Sequence, residues 1–229
     1  MRALSGSVLE VDFWDVGDAV SEAVRAGLHR LHFDVTDGAF VPRISFGDRI
    51  VRSIARRAGV PSDVHLMVER PELQAAHFGG VENLGTIYFH VEAARDPGAA
   101  IRAIRALGAR VGVAISPGSE ISAVERLLGG VDAVLVMLVE PGAGGQRMIP
   151  GMLGRIRALD GARRRMGLDL EIAADGGIRA ENAREVLEAG ADVLVVGSGI
   201  FGQGDITGAV RRLLAELGSA GERRGALRI

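Results

Sequence analysis

The feature that most constrains this sequence is an alternation, repeated eight times, between a short apolar run and an amphipathic stretch. The apolar runs are rich in Val, Ile and Leu and are typical of buried strands. They lie at Arg2–Leu9, Arg30–Val35, Ser62–Val68, Thr86–Val91, Arg110–Ile115, Ala133–Leu138, Leu170–Ala174 and Asp192–Gly197. Strands that are apolar throughout predict a parallel sheet covered on both faces.

The amphipathic stretches predict the helices that cover such a sheet. They lie at Asp18–Ala26, Asp48–Ala58, Pro71–Phe78, Ala99–Leu107, Glu120–Leu128, Pro150–Met166, Ala180–Ala189 and Asp205–Leu217. Eight strand–helix units are the number that closes a (β/α)8 TIM barrel, although the pattern alone leaves an open doubly wound sheet as an alternative. We expect one barrel domain over residues 1–217, followed by a loosely packed tail over residues 218–229 that is rich in Gly, Ser and Arg.

Prolines and glycines at the expected helix ends support these boundaries. Pro71 and Pro150 are expected in the first turn of a helix, where a missing N–H costs little. Glycines that follow helical stretches are expected to take a positive φ. These glycines are Gly27, Gly59, Gly108 and Gly190.

Composition excludes several functional classes. The net charge of -2 argues against nucleic acid or an acidic membrane surface as a partner. The chain has no cysteine, so any metal must bind to His, Asp or Glu. No apolar run is long enough to span a membrane, and the first residues lack the pattern of a signal peptide. We therefore expect a cytoplasmic protein.

Polar residues stand where the predicted strands end, which is where barrels place their chemistry. His32 and Asp34 share one face of the second strand because side chains alternate along a strand. The other polar strand ends are His65, which shares a face with Met67, the pair His90 and Glu92, and Asp175 before Gly176 and Gly177. A histidine here can be structural, and an aspartate before two glycines can form a turn. Together, two histidines and two aspartates suit a transition metal, so the residues alone leave both readings open.

Three glycine clusters follow the late strands, where barrels often bind phosphate through backbone N–H groups. They are Gly142–Gly145, Gly176–Gly177 and Gly197–Gly199. Met67 and Met137 also end strands. Each is explained by core packing, or by an apolar wall over the reacting carbons of a substrate.

Taken in order, these motifs resemble the ribulose-phosphate 3-epimerase family. The resemblance extends from about Ser7 to Phe201. It rests on the segments His32–Pro42, Asp63–Val68 with Pro71, Val136–Met137, Glu140–Gln146, Asp175–Ile178 and Gly197–Phe201.

The resemblance implies a barrel of the ribulose-phosphate-binding type with one divalent metal, which is Zn, Fe, Mn or Co. The implied metal ligands are His32, Asp34, His65 and Asp175. Asp34 and Asp175 are also the implied acid–base pair. The expected substrate-binding residues are Ser7, His65, Met67, Met137, Gly142, Gly144, Gly145, Gly176, Gly177, Gly197 and Ser198.

The implied reaction is the 3-epimerisation of D-ribulose 5-phosphate to D-xylulose 5-phosphate in the pentose phosphate pathway, by a homo-oligomer whose only other partner is the small ketose phosphate. The chain departs from the family pattern at Gly6, Thr36, Ser116 and Ala143, which replace a proline, a methionine, an asparagine and a phenylalanine. We expect most of these changes to shorten side chains around the substrate. A larger substrate such as D-allulose 6-phosphate is therefore an alternative.

Two further readings compete. A decarboxylase or aldol-type enzyme related to orotidine-phosphate decarboxylase would carry an Asp-x-Lys-x-x-Asp element, which this sequence lacks. A non-catalytic sugar-phosphate-binding barrel would need the phosphate loops but not two opposed carboxylates.

Overall fold

The computed structural model describes the backbone of residues 2–226 and the side chains of residues 2–218. Eight parallel strands pair in sequence order, and β8 pairs with β1, so the sheet closes into a barrel. The strands are β1 (Ala3–Ser7), β2 (Arg30–Thr36), β3 (Ser62–Met67), β4 (Leu84–His90), β5 (Arg110–Ile115), β6 (Ala133–Met137), β7 (Glu171–Asp175) and β8 (Val193–Val196). The barrel prediction is confirmed, and the open sheet is excluded.

Helices connect the strands on the outside. Seven of the eight predicted stretches match a helix within a few residues at both ends, the eighth continues further, and a short helix at Ser198–Phe201 was not predicted. The helices are α1 (Val16–Arg25), α2 (Asp48–Ala58), α3 (Pro71–Gln74), α4 (Pro97–Arg105), α5 (Ile121–Glu125), α6 (Leu153–Arg165), α7 (Ala180–Ala189), α8 (Ser198–Phe201) and α9 (Ile206–Ala226). Helix α9 continues past residue 217, so the start of the predicted tail is not a helix end. The division into residues 1–217 and 218–229 stays a prediction. No helix among the described residues is both long and apolar enough to cross a membrane.

The predictions for the prolines and glycines at helix ends are confirmed except at Pro150. Pro71 occupies the first turn of α3, as predicted. Pro150 does not begin a helix, because α6 starts only at Leu153 and Pro150 lies in the turn before it. That prediction is wrong, since a proline suits a turn as well as a first helical turn. All four glycines predicted to have a positive φ do so, with values from 69° to 125°.

Alternation along the strands divides the buried side chains into two layers. One face of each strand packs against the helices, as Leu31, Phe33 and Val35 do on β2. The other face points into the barrel, where smaller apolar residues such as Ala133, Ala173 and Val193 fill the centre. The polar residues of β2, β3, β4 and β7 also occupy inward-facing positions of their strands. The pattern that buries the core therefore also directs these polar groups into the barrel.

One glycine shows how tightly the interior is filled. The ring of Tyr88, which is fully buried, lies against Gly112 on the neighbouring strand. Any Cβ at Gly112 would collide with that ring. Tyr88 thus fills the middle of the barrel and separates polar groups at its two ends.

Candidate active site at the carboxyl end of the barrel

The four predicted metal ligands meet at the carboxyl ends of β2, β3 and β7. Each of His32, Asp34, His65 and Asp175 offers one ligand atom, and these four atoms all lie within 4.8 Å of one another. Asp34 is at the centre of the group. Its Oδ1 atom lies 2.9 Å from Nδ1 of His65 and 3.5 Å from Nε2 of His32. The strand register explains the meeting, because Asp34 and His65 are direct neighbours across β2 and β3.

The chemistry of this group suits a divalent metal. His32 is fully buried, and neither of its ring nitrogens makes a hydrogen bond with the described residues. A buried imidazole without a partner is costly in a protein interior unless a ligand completes it. Two imidazoles and two carboxylates form a donor set that zinc, iron, manganese and cobalt all accept. The residues present therefore fit the metal that the sequence implied.

The two aspartates have opposite electrostatic environments. Burial opposes ionisation of Asp34, but His32 and His65 outweigh it and hold the pKa of this carboxyl well below its usual range. Burial raises the pKa of Asp175, and the nearby negative charge of Asp34 raises it further. One carboxyl group therefore favours the ionised form and the other favours the protonated form. Paired carboxyl groups with separated pKa values are a common arrangement for acid–base chemistry.

A chain of hydrogen bonds extends from His65 away from the cavity. Nε2 of His65 lies 2.9 Å from Nε2 of His90, and Nδ1 of His90 lies 3.2 Å from Oε2 of Glu92. If Nδ1 of His65 binds a metal, Nε2 must carry the ring hydrogen and donate it to His90. His90 then carries its own hydrogen on Nδ1, which faces Glu92. One set of tautomers therefore satisfies the whole chain.

A cavity opens above the carboxylates and is lined by most of the predicted substrate-binding residues. Besides Asp34 and Asp175, these lining residues are Ser7, Met67, Met137, Gly142, Gly144, Gly145, Gly176, Gly177, Gly197 and Ser198. His65 lies beneath the lining, fully buried. Ser7 is also tied to the carboxylate group, because its hydroxyl lies 2.6 Å from Oδ2 of Asp34.

Comparison with known proteins agrees with this geometry. Residues 3–201 match the model of the Ribulose-phosphate 3 epimerase family. The chain is 41% identical to the ribulose-phosphate 3-epimerase of Aquifex aeolicus, over 96% of this chain and 99% of that one. It is also 41% identical to the ribulose-phosphate 3-epimerase of Methanocaldococcus jannaschii, over 93% and 90% of the two chains.

The chain belongs to the ribulose-phosphate 3-epimerase family. It is thereby placed among the isomerases that act on carbohydrates. The barrel itself is shared more widely. The structure of 3-hexulose-6-phosphate synthase from Salmonella typhimurium superposes with a TM-score of 0.72 at 18% identity, covering 96% of this chain and 100% of that one. At this identity, the similarity concerns the fold alone.

The four departures from the family pattern do not all lie where we expected. Ala143 lines the cavity. Thr36 is buried and is not among the lining residues. Ser116 is not among the lining residues, and its hydroxyl lies 3.2 Å from Nδ1 of His90. Gly6 points outward, where a Cβ would contact Leu28 and Phe201. The expectation that most of these changes surround the substrate is therefore supported at Ala143 and contradicted at Gly6, and it stays a prediction for Thr36 and Ser116.

Sequence reasoning missed Glu10, which also lines the cavity. It ends a single 3-10 turn, Val8–Glu10, that follows β1 directly. The signal was its position, because a charged residue just after the first strand falls at the same rim as the other strand ends. This rim therefore carries the carboxylate of Glu10 in addition to the two expected aspartates.

Proposed function

We propose that the protein is a metal-dependent 3-epimerase of a ketose phosphate, and that it interconverts D-ribulose 5-phosphate and D-xylulose 5-phosphate. One observation carries the proposal beyond family membership. Asp34 and Asp175 come from β2 and β7, which lie on different parts of the barrel wall, yet both border one cavity and one metal-binding group.

Epimerisation at C3 requires a base and an acid on opposite faces of the carbon. Removing the C3 proton beside the C2 ketone gives a planar enediolate, and returning a proton to the opposite face gives the other epimer. Asp34 and Asp175 take these two roles, one ionised and one protonated, and exchange them in the reverse direction. A divalent metal on the same four side chains supplies positive charge that stabilises the enediolate.

The glycine loops account for the phosphate end of the substrate. Gly144, Gly177 and Gly197 border the cavity on the side formed by β6, β7 and β8. Their backbone can approach a phosphate closely because no side chain intervenes. Gly177 also has to be glycine for a local reason, because its φ is 64° and a Cβ there would collide with the backbone at Met148. The loops would hold the phosphate while C3 rests between the two carboxyl groups.

The test is proton exchange at C3 in D₂O with the Asp34→Asn and Asp175→Asn variants. We expect the exchange rate to fall by about 10²- to 10⁴-fold in each variant, the range typical of a lost general acid or base. The matched control is Asp169→Asn, an exposed aspartate at the opposite end of the barrel. Metal content is measured for every variant, so that metal loss is distinguished from a lost proton donor. Unchanged exchange in a variant that retains its metal would contradict the assigned roles.

A larger substrate is supported by one observation. Ala143 borders the cavity where the family frequently has phenylalanine, and the smaller side chain leaves more room. D-allulose 6-phosphate is therefore the second candidate substrate. Comparing kcat/KM across pentulose and hexulose phosphates decides between them. Turnover of none of these compounds would favour a non-catalytic sugar-phosphate-binding barrel instead.

Three accompanying properties remain predictions. The metal is one of zinc, iron, manganese and cobalt, which metal analysis of the purified protein identifies. Self-association and a cytoplasmic location follow from the family resemblance and the sequence pattern, and are proposed on that basis alone.

A further inference from the structure

Glu10 lies among the glycine loops that are proposed to hold the phosphate. A Cβ at Gly144 would collide with the Glu10 carboxylate, and one at Gly145 would lie 3.8 Å from its Oε2 atom. On the other side, a Cβ at Gly197 would lie 3.6 Å from Cγ of Glu10. The side chain therefore stands between the loop after β6 and the loop after β8.

No cationic side chain lines the cavity beside this carboxylate. The lining residues include four acidic side chains, which are Glu10, Asp34, Glu140 and Asp175, and no arginine. Asp34 and Asp175 belong to the metal-binding group, whereas Glu10 does not. Glu10 also makes no hydrogen bond or ion pair with any other described residue. Its negative charge therefore remains directed at whatever the glycine loops bind.

We propose that Glu10 is a specificity-determining residue that opposes the binding of a phosphate dianion at the glycine loops and favours substrates with less negative charge at that point. The inference rests on the proposed function, because it assigns the phosphate to these loops. A phosphate oxygen that accepts a hydrogen bond from Gly144 or Gly145 lies beside the Glu10 carboxylate, and like charges at such separations repel.

Movement of the Glu10 side chain would not abolish the weakening of phosphate binding. Glu10 is exposed, so it can rotate away from the loops. In that case the phosphate must displace it and restrict its freedom, which also weakens binding. Repulsion and displacement thus act in the same direction. Substituting a neutral residue of the same size separates them, because it removes the charge and keeps the bulk.

The experiment compares Glu10→Gln and Glu10→Ala with the wild-type protein, using inorganic phosphate as the probe. Affinity is measured by calorimetry on the metal-loaded protein, without turnover. We expect Glu10→Gln to bind phosphate at least about fivefold more tightly, as expected for removing one negative charge about 4 Å from an anion in watery surroundings. The difference should narrow as the salt concentration rises. Glu188→Gln, an exposed change of the same charge on α7, is the matched control.

Kinetics then test specificity. For Glu10→Gln, we expect a lower KM for D-ribulose 5-phosphate by a similar factor and an unchanged KM for unphosphorylated D-ribulose. Phosphate affinity in Glu10→Gln that equals that of Glu188→Gln, or falls below wild type, would overturn the proposal. Tighter binding in Glu10→Ala but not in Glu10→Gln would overturn its basis in charge. If wild type turns over no ketose phosphate, the proposed function fails, while the phosphate titration still decides the role of Glu10.

Discussion

The buried carboxylates at the two ends of the barrel have different partners. At the amino end, Arg30 makes two parallel hydrogen bonds to Glu171, of 2.8 and 2.9 Å, and also faces Asp63 at 3.7 Å. Arg110 approaches the same Glu171 carboxylate at 3.3 Å. At the carboxyl end, the cavity is lined by carboxylates with no arginine among them. Arginines therefore face the buried carboxylates at the amino end, whereas histidines face Asp34 at the carboxyl end.

This difference suggests that the charged residues at the amino end serve stability and that those at the carboxyl end serve function. Removing one partner of a buried ion pair is strongly destabilising, so the arginines that face carboxylates at the amino end have a structural role. The carboxyl end keeps two aspartates close to the buried His32, whose ring nitrogens make no hydrogen bond with the described residues, and this arrangement costs stability unless a metal binds. A fold retains such a cost where the unsatisfied groups act on a ligand. The four experiments below test this division.

Breaking the charge balance at the amino end should have the largest effect on stability. Arg30→Met keeps the apolar stem but removes both hydrogen bonds to Glu171 and the positive charge 3.7 Å from the almost fully buried Asp63. We expect a loss of about 4 kcal/mol in the free energy of unfolding, measured by urea denaturation. The exposed pair of Arg102 and Asp96 provides the control, since Arg102→Met should cost less than about 1 kcal/mol. Equal costs in both variants would refute the structural role of the amino end.

The carboxyl end should instead make stability depend on pH when the metal is removed. Burial disfavours the charged form of His32, but the Asp34 carboxylate prevails and raises the pKa of this imidazole to about 9. The unfolded value is near 6.5, so the folded state binds the proton more tightly. This contribution is complete below pH 6.5 and is lost as the pH rises through 9. Asp175 acts in the same direction, because its pKa is raised as well.

The measurement is the unfolding free energy of the chelated protein at pH 6 and pH 9.5. We expect a decrease of roughly 3 kcal/mol between them. Loading the protein with zinc should remove the decrease, because a metal holds His32 in its neutral form. A chelated protein that is equally stable at both pH values would contradict the electrostatic account of the carboxyl end.

The same two ends show what the sequence could and could not predict. Alternation along β2 and β3 was enough to place His32, Asp34 and His65 on inward faces, because strand parity needs no knowledge of partners. The amino-end network was not predicted. Arg30 and Glu171 are 141 residues apart, and their contact follows from barrel closure and side-chain direction, which no local pattern encodes.

Loop positions were predicted less well than strand positions for a related reason. Glu10, Ser116 and Pro150 all lie just outside regular strands and helices, where backbone direction changes within one or two residues. Ser116 follows β5, and its hydroxyl lies beside Nδ1 of His90. Strand parity stops at the end of the strand, so residues beyond it can face either way.

The third prediction concerns the hydrogen-bond chain behind His65, which belongs to the carboxyl end only. The Glu92 carboxylate orients His90, which in turn contacts Nε2 of His65. We expect Glu92→Gln to weaken zinc affinity by about 10- to 100-fold, measured by competition with a chelating dye, because groups that orient a metal ligand usually matter to this extent. Urea stability of the chelated variant should change little. The control is again Glu188→Gln, and zinc affinity equal to that control would show that the chain does not orient His65.

The smallest effect should come from the second arginine at the amino end. Arg110 is 42% exposed, and Glu171 keeps its two hydrogen bonds to Arg30 when Arg110 is removed. We therefore expect Arg110→Ala to cost less than about 1 kcal/mol in the free energy of unfolding. In the Arg30→Met background, Glu171 would lose its last partner, and the same change should cost more. A double-mutant cycle in urea measures this coupling. Additive costs would mean that the two arginines act independently and that the amino end is not one network.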